Sequence, residues 1–261
     1  MKPYLIIKAP VLAFLRGAVA GRLAVLAALF AVAPAVAGAR EWAAPQGCEI
    51  FMTVQAKACR VSNHYTCADD APGDQWRADF DLDGLFFRSR IDFETQWIES
   101  IEGRRGGGPQ LTQWLAPAPP DPASFSELIA TGIDSFHFDL ARSDGGTSTA
   151  RGYDRLTGRS VTVDGVTLEE TEFDFTETDP AGNVLRRARG REYINREMRL
   201  FFAGPGESDL GDGLWRPIDG SPLEFVFPGE PGFATSQPKY DCDPMTAGVP
   251  GAPLWRVSDG P

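Results

Sequence analysis

Apolar and polar residues alternate with a period of two along much of this chain. Residues 76–82 place Trp76, Ala78 and Phe80 on one face and acidic or basic side chains on the other. In residues 85–100 the odd positions are mainly apolar and the even positions mainly charged, so we predict one continuous strand there. This period is typical of strands with one buried and one exposed face. The pattern therefore predicts a mostly antiparallel β-protein.

The sequence from Asp79 to Gly84, DFDLDG, allows two interpretations. Acids at positions 1, 3 and 5 followed by glycine match the start of an EF-hand calcium loop, which needs a bidentate glutamate at position 12. Position 12 here is Arg90, a cation where a ligand with two oxygens should stand. Asp83-Gly84 between two alternating segments is a strong signal for a tight hairpin turn. We predict a β-hairpin, with a calcium site as the alternative.

Residues 133–204 are predicted to form a meander of antiparallel strands. Turn signals occur at three places: residues 143–146, Asp164-Gly165 and residues 179–183. The strand before the last turn carries acids and the strand after it carries arginines, so antiparallel pairing would place opposite charges across from one another. We interpret this segment as a solvated hairpin, with an anion-binding arginine patch as the alternative.

One helix is predicted beyond the N-terminal segment. Asp121 is the expected N-cap, Pro122 the first helical residue and Gly132 the stop. The helix is expected to cover one end of the sheet with three apolar residues that share a face: Phe125, Leu128 and Ile129.

Two regions have the composition of loops. Residues 102–123 are rich in glycine and proline, and we expect irregular structure there, including a surface loop at the RRGGG sequence of residues 104–108. Beyond Gly204 we predict loops interrupted by one short strand over residues 223–227, and an irregular tail over about residues 228–261.

Four cysteines, an even number, suggest two disulfides in an exported protein. Residues 48–60 read as one continuous strand, which would hold Cys48 roughly 35 Å from Cys59 at about 3.3 Å per residue. A hairpin loop at residues 62–64 would place Cys59 opposite Cys67. We therefore predict the pairs Cys59–Cys67 and Cys48–Cys242. A zinc site of Cys59, His64 and Cys67 is disfavoured because the spacing is wrong for a zinc knuckle.

Residues 1–39 have the layout of a secretory signal peptide. They carry four cations and no acid, and the apolar run from Leu23 to Ala33 is followed by Pro34 and small residues. That run of 11 residues is too short for a membrane anchor, which needs roughly 20. We predict cleavage near Gly38 or Arg40 and a periplasmic or extracellular protein that is not an integral membrane protein once cleaved. An uncleaved anchor is the alternative.

The net charge of the chain makes some classes of binding partner unfavourable. The chain has a net charge of −11, and losing four cations with residues 1–39 leaves 21 Lys and Arg against 36 Asp and Glu, or −15. Such a surface repels nucleic acid, which has the same sign.

No catalytic, cofactor-binding or metal-binding residue can be assigned, because the chain lacks motifs such as G-x-S-x-G, H-E-x-x-H or a Walker loop. His137 lies in an alternating strand and is interpreted as an ordinary sheet residue. Trp97 falls on an apolar face and is interpreted as core. Some acid pairs have the residue types of a glycosidase but look like solvated strand positions: Glu94 with Glu99, and Glu169 with Glu172. Exposed tryptophans beside them would favour sugar binding, for which Trp97 and Trp114 are the candidates.

These patterns predict a signal peptide over residues 1–39 and a single all-β, mainly antiparallel domain over residues 40–261. We expect a disulfide-stabilised β-sandwich or partly open β-barrel with one short helix. The composition favours a non-enzymatic binding or accessory protein without a cofactor. Its partner would be a small molecule, a lipid or a protein, with an apolar ligand held on a concave face of the sheet. The alternative is a secreted hydrolase acting on a glycan or ester, which requires two acids, or His137 with a serine and an acid, to converge in a cleft.

Overall fold

A computed structural model describes residues 41–103 and 110–243, and these residues form thirteen strands and one short helix. The elements are β1 Cys48–Ala56, β2 Arg60–Cys67, β3 Gln75–Asp81, β4 Gly84–Ile91, β5 Trp97–Glu102, β6 Leu111–Leu115, α1 Phe125–Thr131, β7 Ile133–Arg142, β8 Thr147–Val163, β9 Val166–Thr178, β10 Val184–Asn195, β11 Leu200–Asp209, β12 Arg216–Asp219 and β13 Pro222–Val226. The predicted signal peptide and the RRGGG sequence lie outside the described residues.

All thirteen strands belong to one antiparallel sheet, in which β1 to β12 follow chain order and β13 pairs with β1. β12 and β13 therefore lie at opposite edges, yet only Gly220 and Ser221 separate them along the chain. The edges must meet, so the sheet curls. Lys57 joins them: its backbone N–H donates to the Ser221 carbonyl at 3.0 Å, and its ammonium lies 2.7 Å from Asp219. The predicted all-β antiparallel class is confirmed, as one curled sheet.

The inner face of the curled sheet holds the main hydrophobic core. Met52 and Val54 of β1 pack in one cluster with Leu168 of β9 and Phe202 of β11, strands that are far apart in the sheet order. Fully burying a side chain of this kind stabilises the fold by about 1.5–3 kcal/mol. The curl is thus stabilised by contacts that a flat sheet could not make.

The outer face of β2 and β3 carries a second core. Val61, Tyr65 and Phe80 are buried there, and Trp42 packs on them with ring centroids 5.5 Å from Tyr65 and 5.3 Å from Phe80. Alternation was read correctly over residues 76–82, but the apolar face points outward against the N-terminal segment. The charged face points into the curl.

The chain after β13 crosses the outer face of β1 and β2 and hydrogen-bonds to buried polar side chains. The Thr53 hydroxyl donates to Asn63 Oδ1 at 2.6 Å and accepts from the Ala234 N–H at 2.8 Å. Asn63 Nδ2 donates to the Thr235 carbonyl at 2.9 Å. In its described part the tail forms no regular strand, as predicted, but it is fixed in place by these contacts.

The long strands β9 and β10 flank the predicted turn at residues 179–183. Between them the Asp179 carboxylate accepts from the N–H groups of Ala181 and Asn183 at 2.9 and 2.8 Å. Arg186 stands opposite Glu177 in register and its Nε lies 2.5 Å from that carboxylate. The predicted pairing of acidic and basic strands is confirmed.

The predicted hairpin at residues 79–84 is also confirmed. β3 and β4 are joined by Leu82 and Asp83, Asp81 pairs with Gly84, and the Asp81 carboxylate accepts from the Asp83 N–H at 2.8 Å. Gly84 has φ of 112°, which glycine adopts without strain. Nowhere in residues 41–103 and 110–243 are three His, Cys, Asp or Glu side chains placed to hold a metal ion.

The predicted disulfide pairing is wrong: Cys48 bonds to Cys67 and Cys59 to Cys242. The expected strand over residues 48–60 ends at Ala56, and the chain reverses there instead of at residues 62–64, which lie inside β2. Ala58 and Cys59 have φ of 58° and 53°, values that usually require glycine or asparagine, so the sequence carries no turn signal. The reversal places Cys48 directly opposite Cys67.

The predicted single strand over residues 85–100 is two strands. The Asp92 carboxylate accepts from the N–H groups of Glu94 and Gln96 at 2.8 and 3.0 Å and forms a turn between β4 and β5. A register shift between Asp79 and Phe80 also changes the phase of β4. Phe86 is consequently buried and Leu85 exposed, the reverse of the expectation.

The helix begins later than predicted. Ser124 is the N-cap, and its hydroxyl accepts from the Glu127 N–H at 3.2 Å, the Ser-x-x-Glu spacing of a capping box. Asp121, the expected cap, pairs instead with His137 as an isolated bridge. The predicted end is confirmed, because Gly132 takes the left-handed C-cap conformation with φ of 86°.

Two predicted loop regions contain strands. β6 lies within residues 102–123. β11 continues past Gly204 to Asp209, and its residues 205–208 pair with β12. Over the part of the chain that the structure describes, no helix has both the length and the apolar character that crossing a bilayer requires.

Candidate ligand-binding cavity

The concave face of the sheet surrounds a cavity of about 270 Å³. Strands β2–β5 and β7–β12, the β1–β2 turn and α1 all contribute lining residues. The volume lies between the roughly 150 Å³ of a protein cavity that binds benzene and the roughly 300–1,000 Å³ of pockets for drug-sized molecules. The space therefore suits a small organic molecule or one end of a longer one.

Aromatic side chains line one wall of the cavity. The Trp97 ring lies 6.3 Å from Phe138 and 5.8 Å from Phe175, measured between centroids. Phe136 lies 5.8 and 6.4 Å from the same two phenylalanines. These rings come from β5, β7 and β9 and present apolar surface to the cavity, which favours apolar ligands.

Helix α1 forms another part of the wall through Phe125 and Leu128, both fully buried. The helix is anchored by Glu94, whose carboxylate accepts from the backbone N–H and the hydroxyl of Ser126, each at 2.8 Å. Arg199 lies 3.1 Å from that carboxylate and 4.7 Å from the centre of the Phe125 ring. A short helix of seven residues is thus held rigidly against the cavity.

Four of the cations that line the cavity lie against carboxylates. The shortest separations are Lys57–Asp219 2.7 Å, Arg77–Asp79 3.0 Å, Arg186–Glu177 2.5 Å and Arg187–Asp209 2.8 Å. The Arg77–Asp79 pair lies at ion-pair distance without the alignment of a hydrogen bond. The fifth cation, Arg60, donates to the Gly220 carbonyl at 3.0 Å; burial lowers the pKa of Arg60, and the charge of Asp79 opposes that shift.

Four carboxyl groups that line the cavity have raised pKa values, and in Glu102 the cause is burial, which Arg186 opposes. Burial raises the pKa of Asp134 to about 6, and burial raises the pKa of Glu192 to about 7 although Arg77 opposes it. The pKa of Asp154 is also raised, first by burial and then by the neighbouring charges of Glu192 and Asp134. These carboxyls therefore keep their protons to a higher pH than solvent-exposed carboxyls do.

His64 also lines the cavity and is a neutral imidazole. Burial, and after it the nearby cations Arg77 and Arg60, lower its pKa to about 3. Its Nδ1 has no hydrogen-bond partner among the described residues. The sequence assigned His64 to a hairpin loop, whereas it lies in the middle of β2 with its ring 6.0 Å from Phe202.

The acid pairs considered from the sequence have structural roles. Glu169 pairs with Arg196, and Glu172 pairs with Arg155 on the outside of the sheet. Glu99 lies 3.8 Å from Arg90, and Glu94 anchors α1.

The structure also shows where His137, Trp97 and Trp114 lie. His137 bonds through its backbone to Asp121, as an ordinary sheet residue does. Trp97 was expected in the core but is 40% exposed and lines the cavity, while Trp114 is exposed outside it.

Sequence reasoning missed Asp134, Asp154 and Glu192, although a signal for each was present. Each has the same phase along its strand as apolar residues: Asp134 with Phe136 and Phe138, Asp154 with Leu156, and Glu192 with Ile194. An acid at an apolar phase is expected on a buried face of its strand, where its charge is costly.

Comparisons with protein-family models, with curated proteins and with solved structures give no match to this chain. The properties of the cavity must therefore be argued from its own residues.

Proposed function

We propose that this protein is an exported, non-enzymatic binding protein that holds a small, largely apolar ligand in the cavity of its curled sheet. The observation that carries the proposal is a cavity of about 270 Å³ with an aromatic wall, reaching nearly all strands of the sheet. Cavities of this kind, mostly apolar with a few polar groups, are the usual form of small-molecule sites.

Export is supported by the N-terminal sequence and by the cysteines. Residues 1–39 have the layout of a signal peptide, and both disulfides are compatible with an oxidising compartment. The protein would thus meet its ligand in the periplasm or outside the cell.

A secreted hydrolase is the second candidate, and the proximity of Asp154 and Glu192 favours it. Hydrolases that use two carboxyls need one protonated and one ionised at the same pH, so their environments push the two pKa values apart. Here burial raises both pKa values. Binding is therefore preferred, and turnover of nitrophenyl glycosides or esters by the purified protein, lost in Glu192→Gln, would reverse the order.

Native mass spectrometry of the mature protein purified from its own host tests the proposal directly. A bound mass that is released on unfolding, and that corresponds to an apolar small molecule or lipid, is the expected result. A protein that carries no such mass should still bind N-phenylnaphthylamine, an uncharged apolar fluorophore, with increased fluorescence. Failure of both measurements would refute the proposal.

A matched pair of variants locates the binding. Ser89 lines the cavity and Ser160 is exposed on β8, so Ser89→Phe fills cavity space and Ser160→Phe does not. We expect Ser89→Phe to weaken fluorophore binding roughly tenfold or more, because an added ring of that size occupies volume a ligand needs. Ser160→Phe should bind as the wild type does. Equal binding by both variants would place the fluorophore elsewhere.

A further inference from the structure

The charges that line the cavity are unequally compensated. Four of its cations lie against carboxylates, and the fifth, Arg60, donates to a carbonyl group; burial lowers the pKa of Arg60 and the charge of Asp79 opposes that shift. Asp134, Asp154 and Glu192, here called the carboxyl trio, have no ion pair with any residue that the structure describes. The charge that this cavity lacks is therefore positive and belongs beside the trio.

The trio is assembled from three strands. Asp134 of β7 stands directly opposite Asp154 of β8 in register. Glu192 of β10 lies near enough to Asp154 to raise its pKa through charge repulsion. All three face the same cavity. The three carboxyls therefore give one region of the cavity an acidic lining.

A second observation points to a missing hydrogen-bond donor. Asp134 is only 4% exposed; its Oδ2 accepts from the Ser124 N–H at 3.0 Å, but its Oδ1 has no partner. A buried carboxylate oxygen without a donor is costly and rare in folded proteins. Since Asp134 lines the cavity, a ligand is a natural source of that donor.

The surrounding charges increase the negative potential at the trio. Glu127, Asp121 and Glu94 all act on Asp134 in the same direction as its burial. Arg77 is the cation that acts on Glu192, but it lies 3.0 Å from Asp79. A bound cation would thus be favoured by the whole neighbourhood, and a bound anion would be repelled.

We propose that the carboxyl trio binds a positively charged amine group of the ligand, while the ligand's apolar body lies against the aromatic wall. An ammonium group has three N–H donors and no acceptor, which matches an arrangement of carboxyl oxygens without donors. Phe136 and Phe138 follow Asp134 on the same strand face at about 7 and 13 Å along β7, so they can contact the body of such a ligand. This inference rests on the proposed function and names its ligand class: a small apolar amine.

Three probes with the same apolar chain and different head groups test the inference. Octylamine, octanol and octanoate are each made to displace N-phenylnaphthylamine near neutral pH. We expect octylamine to bind roughly tenfold or more tightly than octanol, as expected for one charge-assisted hydrogen bond, and octanoate to bind worst. If no probe and no fluorophore binds, the proposed function itself fails. If octanol or octanoate binds as well as octylamine, only the inference fails.

Variants then assign the effect to the trio. Glu192→Gln and Asp154→Asn should weaken octylamine binding roughly tenfold and leave octanol binding unchanged. Glu172→Gln, an acid on the outside of β9, is the matched control and should change neither. Unchanged octylamine binding in both trio variants overturns the inference.

A variant that fails to fold binds neither octylamine nor octanol. In that case calorimetry of the wild type tests whether the trio binds the amine. Octylamine should release protons from the trio at about pH 6.5, because a bound cation lowers the pKa of neighbouring carboxyls. Octanol should release none. The released protons are read as a heat difference between two buffers of different ionisation enthalpy, and no difference for octylamine overturns the inference.

Discussion

Strands β1–β3 and β8–β10 are built from the same alternating pattern but bury different faces. The outer face of β1–β3 is covered by residues 41–47 and by the tail, so both faces of these strands are buried. The outer face of β8–β10 remains in solvent and carries exposed ion pairs such as Glu172 with Arg155. One region depends on long-range covering segments and the other on pairing between neighbours.

The difference explains where sequence reasoning succeeded. A strand with one solvated face shows clean alternation and its turns contain Asp-Gly or similar residues, so its bounds can be read directly. In β1 and β2, five consecutive residues are buried, and the turn between them has neither glycine nor asparagine. The pattern there reflects contacts with distant segments.

The largest expected decrease in unfolding free energy follows removal of the disulfide that fixes the tail. Replacing Cys59 and Cys242 by serine opens a loop with a sequence separation of 183, and replacing Cys48 and Cys67 opens one with a separation of 19. On the chain-entropy model the losses are about 5 and about 3 kcal/mol. Urea unfolding of both double variants measures them. A greater loss for Cys48–Cys67 would show that covering by the tail contributes little.

The next largest decrease in unfolding free energy is expected when a buried polar contact under the tail is removed. Asn63→Ala removes the acceptor of the Thr53 hydroxyl and the side-chain donor of the Thr235 carbonyl in the interior, and we expect a loss of about 3 kcal/mol in unfolding free energy. Asn183→Ala, in the exposed β9–β10 turn, removes a side-chain bond to Asp179 and should cost below about 1 kcal/mol. Thermal or urea unfolding compares them. Equal losses would contradict the distinction between the two regions.

A pH-dependent effect is expected inside β10. Glu192 has its pKa raised to about 7 from 4.5, so the folded state holds the proton more tightly than the unfolded state. Wild-type stability should therefore fall as pH rises between these values, with the full penalty above the folded pKa and none below the unfolded one. Glu192→Gln should be more stable than wild type by about 3 kcal/mol near pH 8 and equal to it near pH 4.

Urea unfolding at both pH values measures this difference, with Glu172→Gln as the control. That exposed acid should show no such gain near pH 8. If Glu192→Gln were destabilised near pH 8, the carboxylate would have to be paired and the account of the cavity would be wrong.

The smallest effect on stability is expected at a solvent-exposed ion pair of β9. Glu169→Ala breaks an ion pair with Arg196 whose side chains are 30% and 46% exposed. Solvent screens such pairs, and the loss of unfolding free energy should be below about 0.5 kcal/mol and vanish in high salt. If urea unfolding showed a loss above about 1 kcal/mol, exposed ion pairs would contribute more to the stability of the fold than solvent screening allows.

Several features of the fold could be predicted because they depend on neighbours in sequence. The hairpins at Asp83-Gly84 and Asp164-Gly165, the pairing of β9 with β10 and the end of α1 at Gly132 follow from local turn chemistry, charge and capping. The residues of the cavity could not be predicted with the same reasoning. Alternation defines two faces of a strand but not which one faces inward.

The sequence by itself determined an antiparallel β-protein with one short helix and two disulfides. The tertiary structure alone decided that the sheet curls, that Arg77 and Asp79 point inward while Phe80 points outward, and that Cys59 bonds to Cys242. The physical reason is that each of these depends on segments distant in the chain. The tail and residues 41–47 cover what local pattern would leave exposed, and the closure at Gly220-Ser221 encloses charged side chains that the pattern assigned to solvent.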